Sequence, residues 1–147
     1  MSEYGNIVVA ADFSGEAPAV VRKGVALAKC FDAGIRLLHV IDYFPEDVPV
    51  DLIAPENEDP ARFLMERARE QLRQLAIDAG CDTAATEVVF SSRSVAHEVV
   101  DYAGREGADL LVIGSHGRHG LSEILGATAT GIAHRARCDL LVVRAGK

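Results

Sequence analysis

The sequence predicts a single doubly wound α/β domain with a five-stranded parallel sheet and helices on both faces. Three observations predict it. Short apolar runs alternate with segments of helical period along the whole chain. The apolar runs are continuous instead of alternating with polar residues, as expected of parallel strands covered on both faces. The helical segments stop at glycines, at Gly34, Gly80 and Gly107, each placed just before the next apolar run. A chain of 147 residues fits one domain, 1–147, with a sizeable core.

Residues 6–11, NIVVAA, are the first predicted strand, ending in Asp12-Phe13-Ser14-Gly15. Ser14 or Gly15 opens a helix, with Glu16 expected to place negative charge in its first turn. Ala17, Val20, Val21, Ala28 and Phe31 carry the helical period, and Gly24 allows close packing. Residues 35–41, IRLLHVI, are the second strand. The run from Tyr43 to Pro60 is rich in proline and acid, and its length suits a surface excursion, a lid or a partner-binding segment.

Pro60 starts a strong helix that stops at Gly80, with Phe63, Leu64, Ala68, Leu72, Leu75 and Ala76 as its inward stripe. Residues 83–90 are a less regular third strand. Ser94 is a cap for a helix from 95 to about 106. Residues 110–113 are the fourth strand, a helix follows from Ala127 to about Arg135, and residues 140–143 are the fifth strand.

The net charge of −7 argues against a nucleic-acid partner and against an anionic membrane surface, both of which require basic residues. No segment approaches eighteen uncharged apolar residues, so no membrane insertion is expected. The N-terminal MSEYGNIVVAAD has no signal-type pattern, which makes cytoplasmic the default expectation. Cys30, Cys81 and Cys138 are far apart and odd in number, and read as free thiols.

In doubly wound folds ligands sit beyond the carboxyl ends of the strands, where strand order reverses. Asp12, Val40 and Gly114 all fall at such ends. Asp12 is a hydrogen-bond acceptor for a ligand amine or hydroxyl, a water-mediated metal contact, or a turn-forming aspartate. Gly114 and Gly117 bracket Ser115-His116, and Gly126 precedes Ala127-Thr128 at a helix start. Strand, glycine turn and helix N-terminus together make an anion cradle of backbone amides, with the Thr128 hydroxyl beside it. His116, Arg118 and His119 are titratable or positive groups next to it. His39 reads as a satisfied near-core histidine, and His97 and His134 as helix-surface or packing residues.

GxxxxGK(S/T) is absent, and the first β–α turn, DFSGEA, lacks GxGxxG, so neither a P-loop nor a dinucleotide fingerprint is present. HExxH, GxSxG and a Cys/His cluster are missing too. With Asp12 as the one carboxylate at the strand mouths, no general base is positioned for efficient catalysis.

The segments IVVAADFS, LLHVID, ADLLVIGSHGRHGLSEILGATATGIAHRARC and DLLVVR resemble the universal stress protein family over nearly the whole chain. The resemblance implies an adenine-nucleotide alpha-hydrolase-like fold. It also implies the nucleotide-binding subgroup, whose pattern is G-x2-G-x9-G-(S/T) with an aspartate after the first strand. Carried onto this sequence, Ala10, Asp12 and Val40 lie by adenine and ribose, and Gly114 by the ribose. Gly117, Gly126, Ala127 and Thr128 lie by the phosphates, with His116 and Arg118 alongside.

Two departures stand out. Eight residues separate Gly117 from Gly126, and Ala127 occupies the Ser/Thr position, with Thr128 next to it. Backbone donors do not depend on that side chain. The implied ligand is ATP, with or without magnesium, and ADP or AMP are the other candidates. The implied role is regulatory and non-catalytic, in a stress-response protein. Its rivals are a protein-interaction module without a nucleotide and a weak ATPase. The resemblance further implies a homodimer along Leu140 to Val143, an apolar run suited to an open sheet edge that needs covering; any other protein partner is unspecified.

Overall fold

A computed structural model describes residues 3–42, 56, 59–116 and 125–144. Strands and helices follow in the expected order: β1 (Asn6–Ala10), α1 (Ala17–Phe31), β2 (Gly34–Ile41), α2 (Pro60–Asp78), β3 (Ala85–Phe90), α3 (Val95–Arg105), β4 (Leu110–Gly114), α4 (Ala127–Arg135) and β5 (Asp139–Val143). The five strands form one parallel sheet in the order β3-β2-β1-β4-β5. The chain winds outward from β1 to one edge, then returns to the centre and winds to the other. The reversal places the switch point between β1 and β4.

Side chains alternate across each strand, so each face of the sheet carries its own core. Ile7, Val9, Leu37, Leu110 and Val112 pack with Val20, Val21 and Val25 of α1 and Leu72 of α2. Val8, Leu38, Leu111 and Ile113 pack on the other face with Val99 and Tyr102 of α3 and Ile132 of α4. Ile7, Val8, Val9, Leu37, Leu38, Leu111 and Val112 are all fully buried, which accounts for the unbroken apolar runs. Gly24 lies over Val9 so closely that a Cβ there would run into the valine side chain.

Helix ends carry the local chemistry that the sequence advertises. The Ser94 hydroxyl accepts the His97 N–H at 3.1 Å, capping α3, and Asp59 does the same for Ala61 at the start of α2. Asp32, Gly80 and Gly107 stop helices with positive φ.

Two expectations are corrected. Glu16 is not in the first turn of α1 but at its N-cap, with helical backbone angles and no side-chain cap. Its carboxylate turns away to another element, described below. The third strand begins at Ala85 instead of 83, because the chain after Gly80 first spends residues on a turn, in which the Ala84 N–H reaches the Cys81 carbonyl at 3.2 Å.

Candidate functional site at the sheet switch point

Three chain segments meet at the carboxyl ends of β1 and β4. The first is the turn after β1. Asp12 Oδ1 accepts the Ser14 N–H at 3.0 Å, and the Ser14 hydroxyl accepts the Glu16 N–H at 3.3 Å. Asp12 therefore builds its own turn, the structural alternative the sequence left open. Ala10 ends β1 half-buried, and Val40 is buried near the end of β2. The two pack into one apolar cluster with Ile113 and with Ala129 of α4.

The second segment is the turn after β4. Gly114 ends the strand opposite Val143 of β5. Its backbone does not use positive φ. What it supplies is room, since a Cβ would lie 3.0 Å from Glu16 Oε1 and 3.2 Å from Val20 Cγ2. Ser115 is 1 % exposed. Its N–H donates to the Val143 carbonyl at 3.0 Å, and its carbonyl accepts the Gly126 N–H at 2.8 Å. One buried residue thus joins the β4 turn to the end of β5 and to the start of α4.

The third segment is that helix start. Gly126 is the N-cap of α4, with φ −65° and ψ 165°, and as a glycine it has no side chain to cap the helix. Ala127 and Thr128 form the exposed first turn, while Ala129 turns inward. Among the described residues no partner takes the amides of Ala127 and Thr128, which lie with the positive end of the helix dipole beside the β4 turn. Thr128 is exposed at the second position of α4. Gly117, Arg118 and His119 lie outside the described residues, as does most of the 43–60 connection.

His116 sits where these segments converge, with a side chain 10 % exposed. Its N–H donates to Glu16 Oε1 at 3.3 Å, and its Nδ1 lies 3.6 Å from Glu16 Oε2 and 3.0 Å from Ser115 Oγ. Its Nε2 is buried and has no hydrogen-bond partner among the described residues. Glu16 and Ser115 are the site residues that sequence reasoning missed. A small polar residue directly after a buried strand was the available signal for Ser115. For Glu16, no signal in the sequence joins it to a residue 100 positions away.

The remaining histidines have structural partners or open exposure. His39 Nδ1 bonds the Ala11 carbonyl at 2.8 Å, and its ring stacks on Phe13 with centroids 3.9 Å apart. Burial holds its pKa below 6.5, against the opposing pull of the Ala11 carbonyl and Asp12. Arg135 Nε donates to His97 Nε2 at 3.1 Å, so His97 carries its proton on Nδ1 and donates it to the Ser94 hydroxyl. That tautomer cannot take a proton from Ser94, and the pair is no nucleophile. His134 is exposed. Among the described residues no group of three or more His, Cys, Asp or Glu is arranged to hold a metal, and no helix is long and apolar enough to cross a membrane. The three cysteines are free thiols.

A model of the universal stress protein family matches residues 3–144. Universal stress protein A homolog 1 of Coxiella burnetii is 30 % identical over 140 residues, covering 95 % of this chain and 96 % of its own length. A universal stress protein of Bacillus subtilis is 28 % identical over 155 residues, covering 96 % and 99 %. Among solved structures, a universal stress protein from Lactobacillus plantarum superposes with a TM-score of 0.72 at 24 % identity, covering 98 % of this chain and all of the other. One from Archaeoglobus fulgidus, in complex with dAMP, gives 0.66 at 20 % identity over 95 % and 97 % of the two chains. A further universal stress protein, in complex with cAMP, gives 0.67 at 23 % identity over 99 % and 100 %.

Proposed function

Because the chain belongs to the universal stress protein family, we propose that it binds an adenine nucleotide, ATP foremost, at the carboxyl ends of β1 and β4, and that the nucleotide is a regulatory effector. The observation that carries this reading is the uncapped start of α4, held against the β4 turn by the Gly126 N–H to Ser115 carbonyl bond. Amides of Ala127 and Thr128 offer donors to phosphate oxygens without side-chain competition. The apolar pair Ala10 and Val40 offers a surface for a base, and Asp12 has a free oxygen for a ribose or amine donor. The buried His116 Nε2, without a partner among the described residues, fits a site that takes a polar ligand. Complexes of structurally similar family members with cAMP and dAMP support an adenine nucleotide as the ligand class.

We favour a regulatory role over hydrolysis because both carboxylates described at this edge, Asp12 and Glu16, are engaged with backbone amides, those of Ser14 and His116. Pairing of two copies along the free edge of β5 belongs to the same reading. Leu140, Leu141 and Val142 are half-buried there, on a strand with a neighbour on one side only.

Calorimetric titration with ATP, ADP, AMP and cAMP, with and without magnesium, tests the proposal, and an absence of binding by all four overturns it. Ala127→Pro localises the site. Proline is accommodated at the first helical position, and Gly126 already has the extended backbone that precedes proline. The variant folds normally but lacks one amide donor, and its affinity for ATP falls about tenfold, the effect of one charge-assisted hydrogen bond.

A further inference from the structure

The Glu16 carboxylate lies over Gly114 and accepts the His116 N–H, inside the glycine turn that the proposed function assigns to the ligand. We propose that Glu16 is a specificity-determining residue of this site: an internal anion that holds the turn's amide until a ligand phosphate displaces it, lowering the affinity for phosphorylated ligands and leaving that for the unphosphorylated nucleoside unaffected. The inference rests on the reading of the site as a nucleotide site.

Four features of the contact carry it. Glu16 is the N-cap of α1, yet its carboxylate does not cap that helix. It reaches instead to a residue 100 positions away. The bond to the His116 amide, at 3.3 Å, is at the long end of N–H···O geometry, so a phosphate oxygen at ordinary distance competes well for the same donor. The second carboxylate oxygen stands 3.6 Å from His116 Nδ1, so one side chain faces both the amide and the ring of a residue whose Nε2 is buried without a partner among the described residues. Glu16 is also 22 % exposed on a flexible stem, which gives the displaced carboxylate a direct route to water. Gly114 is what admits it, because a Cβ there would press on Glu16 Oε1.

A carboxylate and a phosphate cannot share one amide donor, and like charges in a half-buried turn repel. If the carboxylate occupies the donor about nine-tenths of the time, the apparent affinity for a phosphorylated ligand is lowered about tenfold. Adenosine carries no phosphate and does not meet this competition.

The test compares wild type, Glu16→Gln and Glu16→Ala by calorimetry with ATP, AMP and adenosine, after thermal unfolding has established that the three are equally folded. Glu16→Ala is expected to strengthen ATP and AMP binding about tenfold and to leave adenosine within about twofold. Glu16→Gln, which keeps an acceptor but loses the charge, gives an intermediate gain. Unchanged or weaker ATP binding in both variants, with or without magnesium, overturns the inference and makes Glu16 a spacer or a ligand-holding group. An equal gain for adenosine overturns it as well.

Titration with inorganic phosphate, read at the His116 amide resonance, separates the two levels. A shift in Glu16→Ala that wild type lacks supports the internal anion even if no variant binds a nucleotide, in which case only the functional reading fails. Identical phosphate responses in the two proteins overturn the inference while leaving nucleotide binding to stand on its own titrations.

Discussion

At the amino end of the sheet, Gly80 and Gly107 hold the backbone at φ +82° and +69°, and a Cβ at Gly107 would meet nothing within 4 Å. At the carboxyl end, Gly114 has an ordinary φ, yet its missing side chain leaves the space that Glu16 and Val20 approach. The same residue type thus serves conformation at one end and proximity at the other. The surroundings differ in the same sense. Below, the Asp109 carboxylate accepts the N–H groups of Gly5 and Asn6 at 2.8 and 3.0 Å, and the Tyr4 hydroxyl donates to Asp139 at 2.7 Å, closing the end with side-chain bonds. Above, α4 starts without a side-chain cap and the one charged contact described on the β4 turn is the long, displaceable one from Glu16. An end built from satisfied groups is scaffold, and an end that keeps donors unspent is where a ligand finds partners.

The contrast can be broken most forcefully at Gly24, where proximity operates inside the core. Gly24→Ala gains about 1 kcal/mol of helix propensity. The new methyl nevertheless drives into Val9, a stiff β-branched residue with no exposure, and the collision outweighs the gain. Urea unfolding is expected to register a net loss of about 2 kcal/mol. Adding Val9→Ala reopens the space, so the double variant loses less than the two single losses added together.

A paired substitution sharpens the comparison at intermediate magnitude. Gly107→Ala costs about 1 kcal/mol, because alanine must adopt a left-handed backbone, and leaves the His116 amide resonance where it was. Gly114→Ala costs less than about 1 kcal/mol, since the nearest atom is the movable end of Glu16, but shifts that resonance by pushing the carboxylate aside.

The smallest effect is on pH dependence at the carboxyl end. Burial lowers the folded pKa of His39 from 6.5, so the folded chain holds fewer protons on this residue than the unfolded chain does. The stability contributed by the neutral ring is complete above about pH 6.5 and declines as the pH falls from there through the lowered folded value, with a slope below about 1.4 kcal/mol per pH unit. His39→Phe, which retains a ring against Phe13, flattens that part of the stability–pH curve; thermal unfolding at a series of pH values reads it.

Much of the fold was legible because it depends on local rules. Continuous apolar runs marked strands buried on both faces, and Gly80, Gly107 and Ser94 marked helix boundaries through backbone geometry or a single cap, whereas α1 ends at the left-handed Asp32 and Gly34 already begins β2. The strand ends then located Asp12, Gly114 and the start of α4 at one edge of the sheet, which required only topology. The start of β3 was displaced to Ala85 because turn bonds at residues 81–84 override a weak strand pattern. The contact of Glu16 with His116 was beyond reach for a different reason. It depends on how far α1 stands from the β4 turn, a distance that no periodicity or spacing encodes. Ser115 lies within the glycine motif, but its burial and its two backbone bonds arise only once β5 and the start of α4 have docked.

Those two bonds of Ser115 have a mechanical consequence. Its N–H is anchored on Val143, the last residue of the edge strand β5, and its carbonyl on Gly126, the N-cap of α4. One residue therefore ties the end of β5 to the start of α4, and local opening of either breaks a bond held by Ser115. Under the proposed function, a partner strand on β5 and a ligand at α4 would meet through this one residue, and any coupling between them would be reciprocal.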